Sequence, residues 1–325
     1  MSKLSDKFYD HIRDLKENEA IAYLKEISPC EPQIKEVTAE DGTTYNTVEN
    51  VKEFEGELSG MWGYIYYYGI GTYTEDDDVA FDLFENGASQ NDSFSLYALG
   101  NMCADGTTPD QMQGGPRQKY DHYDASSFME RCSESNGEFA PAAWFWLGDY
   151  YLDSARGGDP ELGIEYLHKA YEGGVSLAAP SMAKYYYDKA EAHDFKDIAA
   201  NQIYLRWQQE AYEVDPHNQA FDYGMALYGM LFGLQPNIRL ALKLFEEDYE
   251  AGGYDGAMTL ALHYEHEAQT DKYDSEMRAT FKKQAEHWRV LAMQRMEELG
   301  DEDGEEEEDV DDAWVYKMDY SAKSR

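Results

Sequence analysis

The residue types that most often carry chemistry are present in this chain but are poorly grouped. His263 and His266 stand one helical turn apart with Glu267 beside them. That spacing aims two imidazoles at one metal, yet it specifies no third ligand and no H-E-x-x-H run occurs, so surface histidines are the plainer reading. Glu75-Asp76-Asp77-Asp78 lacks the glycine and ligand spacing of a calcium loop. It is better placed to bring negative charge to a helix start, where the macrodipole favours it. Gly114-Gly115-Pro116 is not followed by the Lys-Ser or Lys-Thr of a phosphate loop, and no G-x-S-x-G elbow is present. Cys30, Cys103 and Cys132 are odd in number and lack metal spacing, and with His122 and His168 they form no recognisable nucleophile–base pair. This reading assigns no catalytic, cofactor-binding or metal residues, and an enzyme is not expected.

Charge says more than the motifs do. The 325 residues carry 66 Asp and Glu against 27 Lys and Arg, a formal −39. Such a surface repels nucleic acid and anionic lipid, and its natural complement is a basic protein. Solubility alone is the competing explanation. The opening MSKLSDKFYDHIRDLKENEA alternates charged and apolar residues and has no apolar core of a signal peptide. No run approaches the ~18 apolar residues that a membrane span needs. A reduced, cytoplasmic protein without membrane contact is the expectation.

The elements that must position any site are helical. Leu4, Phe8, Ile12, Leu15, Ala20, Ile21, Leu24 and Ile27 recur at helical spacing, which predicts one amphipathic helix over 3–27, stopped by Ser28-Pro29. Residues 30–56 alternate around Asp41-Gly42 and read as a small β-hairpin or a polar loop. From Leu58 onward six segments repeat a frame of a small residue, a pair four and five positions on, and an aromatic three later. The pairs are Trp62-Gly63, Leu99-Gly100, Leu147-Gly148, Ala183-Lys184, Gly224-Met225 and Leu260-Ala261, spaced about 36 to 48 residues apart. A second helix follows each, as in Ala80…Leu83…Gly87-Ala88 and Gly163…Tyr166…Ala170…Gly174. Asp159-Pro160 and Asp215-Pro216 are helix-start signatures.

These residues resemble a known family. A-x-x-x-L-G-x-x-Y-x-x-G-x-G followed by A-x-x-W-x-x-K-A-A-x-x-G is the pattern of Sel-one-like repeats, relatives of tetratricopeptide repeats. Trp62, Gly63, Tyr66, Gly69 and Gly71 match its first half, and Tyr166, Lys169, Ala170 and Gly174 its second. The likeness covers roughly 57–300, with degenerate later copies and inserted loops at 107–122 and 265–278. The resemblance implies an all-α solenoid, a right-handed superhelix of about six helix-turn-helix repeats, which binds proteins and has no catalytic residues. The expected organisation is a capping helix at 1–29, the hairpin or loop at 30–56, the solenoid at 57–300 and a tail at 301–325. That tail carries ten acids in DEDGEEEEDVDD, then Trp314, Val315, Tyr316, Met318 and Tyr320.

In stacked hairpins the first helices line one face. The frame's second and sixth positions, with Tyr67 one turn beyond Tyr64, give Tyr64, Tyr67, Tyr97, Asn101, Phe145, Asp149, Tyr185 and Asp222 as a protein-binding groove. Aromatics interleaved with acids suit a basic partner. The functional expectation is a non-catalytic scaffold of adaptor or immunity (inhibitor) type, with no cofactor. The alternative is a nucleic-acid mimic that occupies DNA-binding proteins.

Overall fold

The computed structural model describes residues 3–39, 42–108, 124–135, 137–153 and 158–300. Asp41, most of the 107–122 insertion with Gly114-Gly115-Pro116 and His122, and the tail at 301–325 lie outside the described residues. Among the described residues there are 14 α-helices and one two-stranded sheet. They divide into two compact units, the first ending at Val175 and the second beginning at Ser176.

The first unit opens with two helices where the periodicity predicts one: α1 (Lys3–Arg13) and α2 (Glu17–Ile27). The chain breaks at Leu15, which sits at φ 57° and is 75% exposed. The Leu15 N–H donates to the Ile12 carbonyl and that of Lys16 to His11, both at 2.9 Å, which closes α1 as a helix C-terminus closes. No glycine announces this turn, and the apolar spacing runs on through it. The break lets each helix bury its own side, Phe8 and Ile12 on α1, Ala20, Ile21 and Leu24 on α2.

The expected hairpin is present. Strands β1 (Ile34–Thr38) and β2 (Thr44–Val48) pair antiparallel, with Ile34 opposite Val48. Its connection is longer than two residues: the Ala39 N–H donates to the Thr43 carbonyl at 2.8 Å, and Gly42 turns at φ 90°.

Three helical pairs follow: α3 (Gly56–Tyr67) with α4 (Asp77–Ser89), α5 (Ser93–Asp105) with α6 (Asp124–Glu134), and α7 (Ala140–Leu152) with α8 (Pro160–Glu172). Side chains of Asp76, Asp92 and Asp159 accept backbone N–H groups at the starts of α4, α5 and α8. The acidic run at 75–78 therefore works as a helix start, and it also holds the sheet. Asp76 accepts from the Asn46 amide at 2.7 Å, and Asp82 from the Val48 N–H at 2.9 Å.

A shared rule sets how the two helices of a pair cross. A Cβ added at Gly63 would lie 2.4 Å from Phe84, one at Gly100 2.7 Å from Met129, and one at Gly148 2.6 Å from Leu167. The glycine removes the one atom that would keep the bulky partner away, so the backbones approach closely and the pair packs without a void.

The second unit repeats the plan with α9 (Ala178–Glu191) and α10 (Ile198–Val214), α11 (Pro216–Met225) and α12 (Ile238–Glu250), and α13 (Asp255–Gln269) and α14 (Ser275–Gly300). Here the sequence frame needs a correction in two copies. The buried pair in the fourth is Met182-Ala183, with Lys184 exposed, and in the fifth it is Tyr223-Gly224. A Cβ on Gly224 would come 2.6 Å from Phe245, as one on Gly63 would meet Phe84. Both copies are thus one residue earlier than the frame placed them: in the fourth, Ala178 starts the frame as readily as Ala179, and in the fifth the start falls on Gln219, which is not a small residue. Where loop glycines have been lost, Asp194 and Phe195 take positive φ instead. Asn201, buried, holds that turn by donating to the carbonyls of Phe195 (2.7 Å) and Phe232 (3.0 Å).

Candidate protein-binding face

In the first unit α3 packs beside α5, and α5 beside α7. Tyr64 does not remain open: the residue is 1% exposed. Helix α1 lies over it and sets Phe8 and Tyr9 against its ring, both at 6.1 Å. Tyr9 also meets Phe94 at 5.4 Å and Phe139 at 5.6 Å, so one aromatic cluster joins α1 to α3, α5 and the start of α7. The sequence placed Tyr64 in the groove because nothing in its repeat showed where the preceding helix would land.

The other first-unit positions keep some surface. Tyr97 is half-buried and stacks on Phe139 at 5.8 Å, and Asn101, one turn on, hydrogen-bonds it. Burial pushes the Tyr97 hydroxyl above its ordinary pKa, with Asp105 adding to the rise. On the neighbouring α7, Phe145 is half-buried and Asp149 exposed. Tyr67 is half-buried against Tyr68 (4.9 Å) and Phe84 (6.1 Å). The frame missed Trp146 and Tyr150, which stack at 5.1 Å with 14° between their planes. Their four-residue spacing on a helix apolar all round was the available signal.

Second-unit positions fare differently. After the one-residue correction, Lys184 and Phe221 occupy the places given to Tyr185 and Asp222, and Phe221 packs on Phe245 at 5.8 Å. Lys189 lies 5.3 Å over the Tyr185 ring, so one π-face already holds a cation from its own helix. Asp222 has its carboxyl raised above the usual range by burial and by Asp248 and Asp255.

The residues first suspected of chemistry are placed structurally. His263 is half-buried: its Nδ1 lies 2.9 Å from the Tyr228 hydroxyl, and burial lowers its pKa. His266 is exposed. Cys103 and Cys132 are buried, and the Cys132 thiol, donating to the Ser93 carbonyl at 3.2 Å, is pushed up to about 12 by burial. Such a thiol is inert at neutral pH. Among the described residues no group of three or more His, Cys, Asp or Glu could hold a metal ion, and no helix is long and apolar enough to cross a membrane.

No family model matches the sequence, and no curated protein matches it. Among solved structures, a Sel1 repeat protein from Oxalobacter formigenes matches with a TM-score of 0.53 at 18% identity, over 89% of this chain and 99% of its own. The fold is that of the Sel1-like repeats. Protein c5321, a protective antigen of uropathogenic Escherichia coli strains displaying this fold, matches at TM-score 0.50 and 17% identity. That match covers 76% of this chain but 54% of the antigen, so this Sel1-like chain spans about half of it.

Proposed function

We propose that the protein is a non-catalytic scaffold, of adaptor or inhibitor type, that captures a basic protein on the first-helix face of its first unit. The observation that carries this reading is the pairing of half-buried aromatics with carboxyl and amide groups on two neighbouring helices: Tyr97 and Asn101 on α5, Phe145 and Asp149 on α7. Tyr67 belongs to the same face. Rings already fixed by packing lose little freedom on binding, and each offers a face to a partner's Arg or Lys at ~0.5–2 kcal/mol. The −39 charge steers a basic partner toward that face and raises its association rate at low salt. Tyr64 plays no part, since α1 covers it, and Tyr185 and Asp222 are outside the proposed face.

The test is affinity capture from the native cell with the wild type and with Tyr97→Ala/Phe145→Ala, both checked for helical content. The reading expects one selectively retained basic protein, lost in the double variant. Comparable retention of several unrelated DNA-binding proteins would favour the nucleic-acid mimic instead. Unchanged capture by the double variant would remove this face from the account.

A further inference from the structure

Helix α1 adjoins the proposed face and is joined to it by rings. Tyr67 meets Tyr68 at 4.9 Å, and Tyr68 lies 4.7 Å from Tyr64, the ring that α1 covers. Tyr97 stacks on Phe139, which Tyr9 of α1 also touches. One stripe of α1 makes these contacts: Phe8 and Ile12 are buried along it, and the half-buried Tyr9 flanks them. Lys7, Asp10 and Arg13 stay exposed on the other side. By sequence α1 carries Lys3, Lys7 and Arg13 against Asp6 and Asp10, so it is slightly basic in a chain of −39. It joins α2 through Leu15, whose left-handed backbone is unfavourable for a side chain with a Cβ. Residues 13–17 hold neither glycine nor proline, so tertiary contact rather than local sequence keeps α1 folded down.

The fit beneath Tyr9 is electrostatically incomplete. Burial raises the Tyr9 hydroxyl well above its ordinary pKa, and Asp92, Glu138, Tyr64 and Glu57 add to the rise. Three carboxyl groups thus lie within electrostatic reach of a neutral phenol. The Oε2 of Glu57 is buried and has no hydrogen-bond partner among the described residues. A buried carboxyl oxygen without a donor is costly. An Arg or Lys reaching this point would supply the donor while resting on the rings of Tyr64, Phe94 and Phe139.

We infer that α1 is a displaceable stand-in for the partner: the face takes an amphipathic helix of that protein, with an Arg or Lys where α1 has Tyr9, and α1 leaves to admit it. The inference rests on the reading of this face as a site for a basic protein, and it adds the form in which that protein is recognised. Docking of an amphipathic helix through a few anchoring side chains is what α1 itself does here. Tethered at ~mM effective concentration, α1 competes with any weak ligand. Tyr64 plays no part while α1 covers it and joins the face once α1 leaves.

Fluorescence polarisation at pH 7 with a labelled synthetic peptide of residues 1–16 tests this. The peptide should bind the full-length Phe8→Ala/Tyr9→Ala variant, whose own α1 is loosened, at least ~10-fold more tightly than the wild type, where the tethered helix competes. A Tyr9→Arg peptide should bind that variant at least ~3-fold more tightly than the unsubstituted peptide. Circular dichroism and the unfolding midpoint check that the variant is folded, and the milder Tyr9→Ala chain should shift binding the same way by less. A folded variant that binds no peptide, or binds it no better than the wild type does, overturns the inference. So does a Tyr9→Arg peptide with no advantage. These readings need no cellular partner, so a wild type that captures nothing from the cell fails the proposed function while the peptide still decides this inference. Where a basic protein is captured, stronger retention by Phe8→Ala/Tyr9→Ala supports displacement. Weaker retention makes α1 part of the binding surface and overturns it.

Discussion

The two units use one helical pair but finish it differently. In the first, each of the three crossings is a glycine beneath a bulky side chain: Gly63 under Phe84, Gly100 under Met129, Gly148 under Leu167. The array's exposed start is closed by α1 and α2, and Trp62, 0% exposed, donates its indole N–H to Ser28 at 3.0 Å. In the second, only Gly224 keeps that role, with Ala183 and Ala261 at the equivalent crossings. Its loops rely on Asn201 and on positive-φ Asp194 and Phe195, and its final pair is half open. The contrast teaches that a solenoid tolerates drift at its crossings and loops. A close-packed, covered end makes each residue costlier to change.

The largest effect should come from the buried indole. Trp62→Ala is expected to cost about 4 kcal/mol by denaturant unfolding. Trp288→Ala on α14, whose ring is only partly buried, should cost less than half as much, and equal costs would erase the distinction between the units. Next is the crossing itself. Gly63→Ala should cost about 2–3 kcal/mol because the added methyl must displace the buried Phe84 ring. A double-mutant cycle with Phe84→Leu should recover part of that loss. Ala261→Gly, which only loosens a helix, should cost about 1 kcal/mol.

Smaller again is a titration. Burial raises the Asp92 carboxyl to about 6, despite hydrogen bonds from the Ser95 N–H and hydroxyl at 2.8 and 2.6 Å. The folded state then binds this proton more tightly than the unfolded chain does. The contribution of Asp92 to stability is therefore greatest below pH ~4 and is lost as pH rises to ~6. Asp92→Asn keeps the cap and removes the buried charge, so it should stabilise the protein by about 1–2 kcal/mol at pH 7 and flatten this pH window. Asp248, held by the Gly256 N–H at 2.9 Å and also raised by burial, is the second unit's counterpart. Asp248→Asn should shift stability in the same direction by less.

How far the sequence could be read follows from where the physics is local. Proline caps, acidic helix starts and the small–large frame act within one hairpin, so the six pairs, the short sheet and the capping roles of Asp76, Asp159 and Asp215 were legible. Register in the fourth and fifth copies was not, because Ala178 fits the frame as well as Ala179, the fifth copy starts on Gln219, which a small-residue frame passes over, and only packing against Phe245 distinguishes Gly224 from its neighbours. The break at Leu15 carried no turn residue. Tyr64 and His263 were assigned to the surface because their covers, α1 and Tyr228, come from other elements. Candidate-site residues on α5 and α7 were readable as positions, whereas their packing partners, such as Phe139 beneath Tyr97, were not.

The central claim is that charge brings a basic protein to the aromatic face of the first unit. It is tested most directly by capture at low and high salt with the wild type and with Asp105→Lys/Asp149→Lys, two exposed substitutions flanking Tyr97 and Phe145. The account predicts one basic protein bound at low salt, released at high salt, and absent from the charge-reversed variant at either. Retention of the same protein by the variant at both salt concentrations would contradict it.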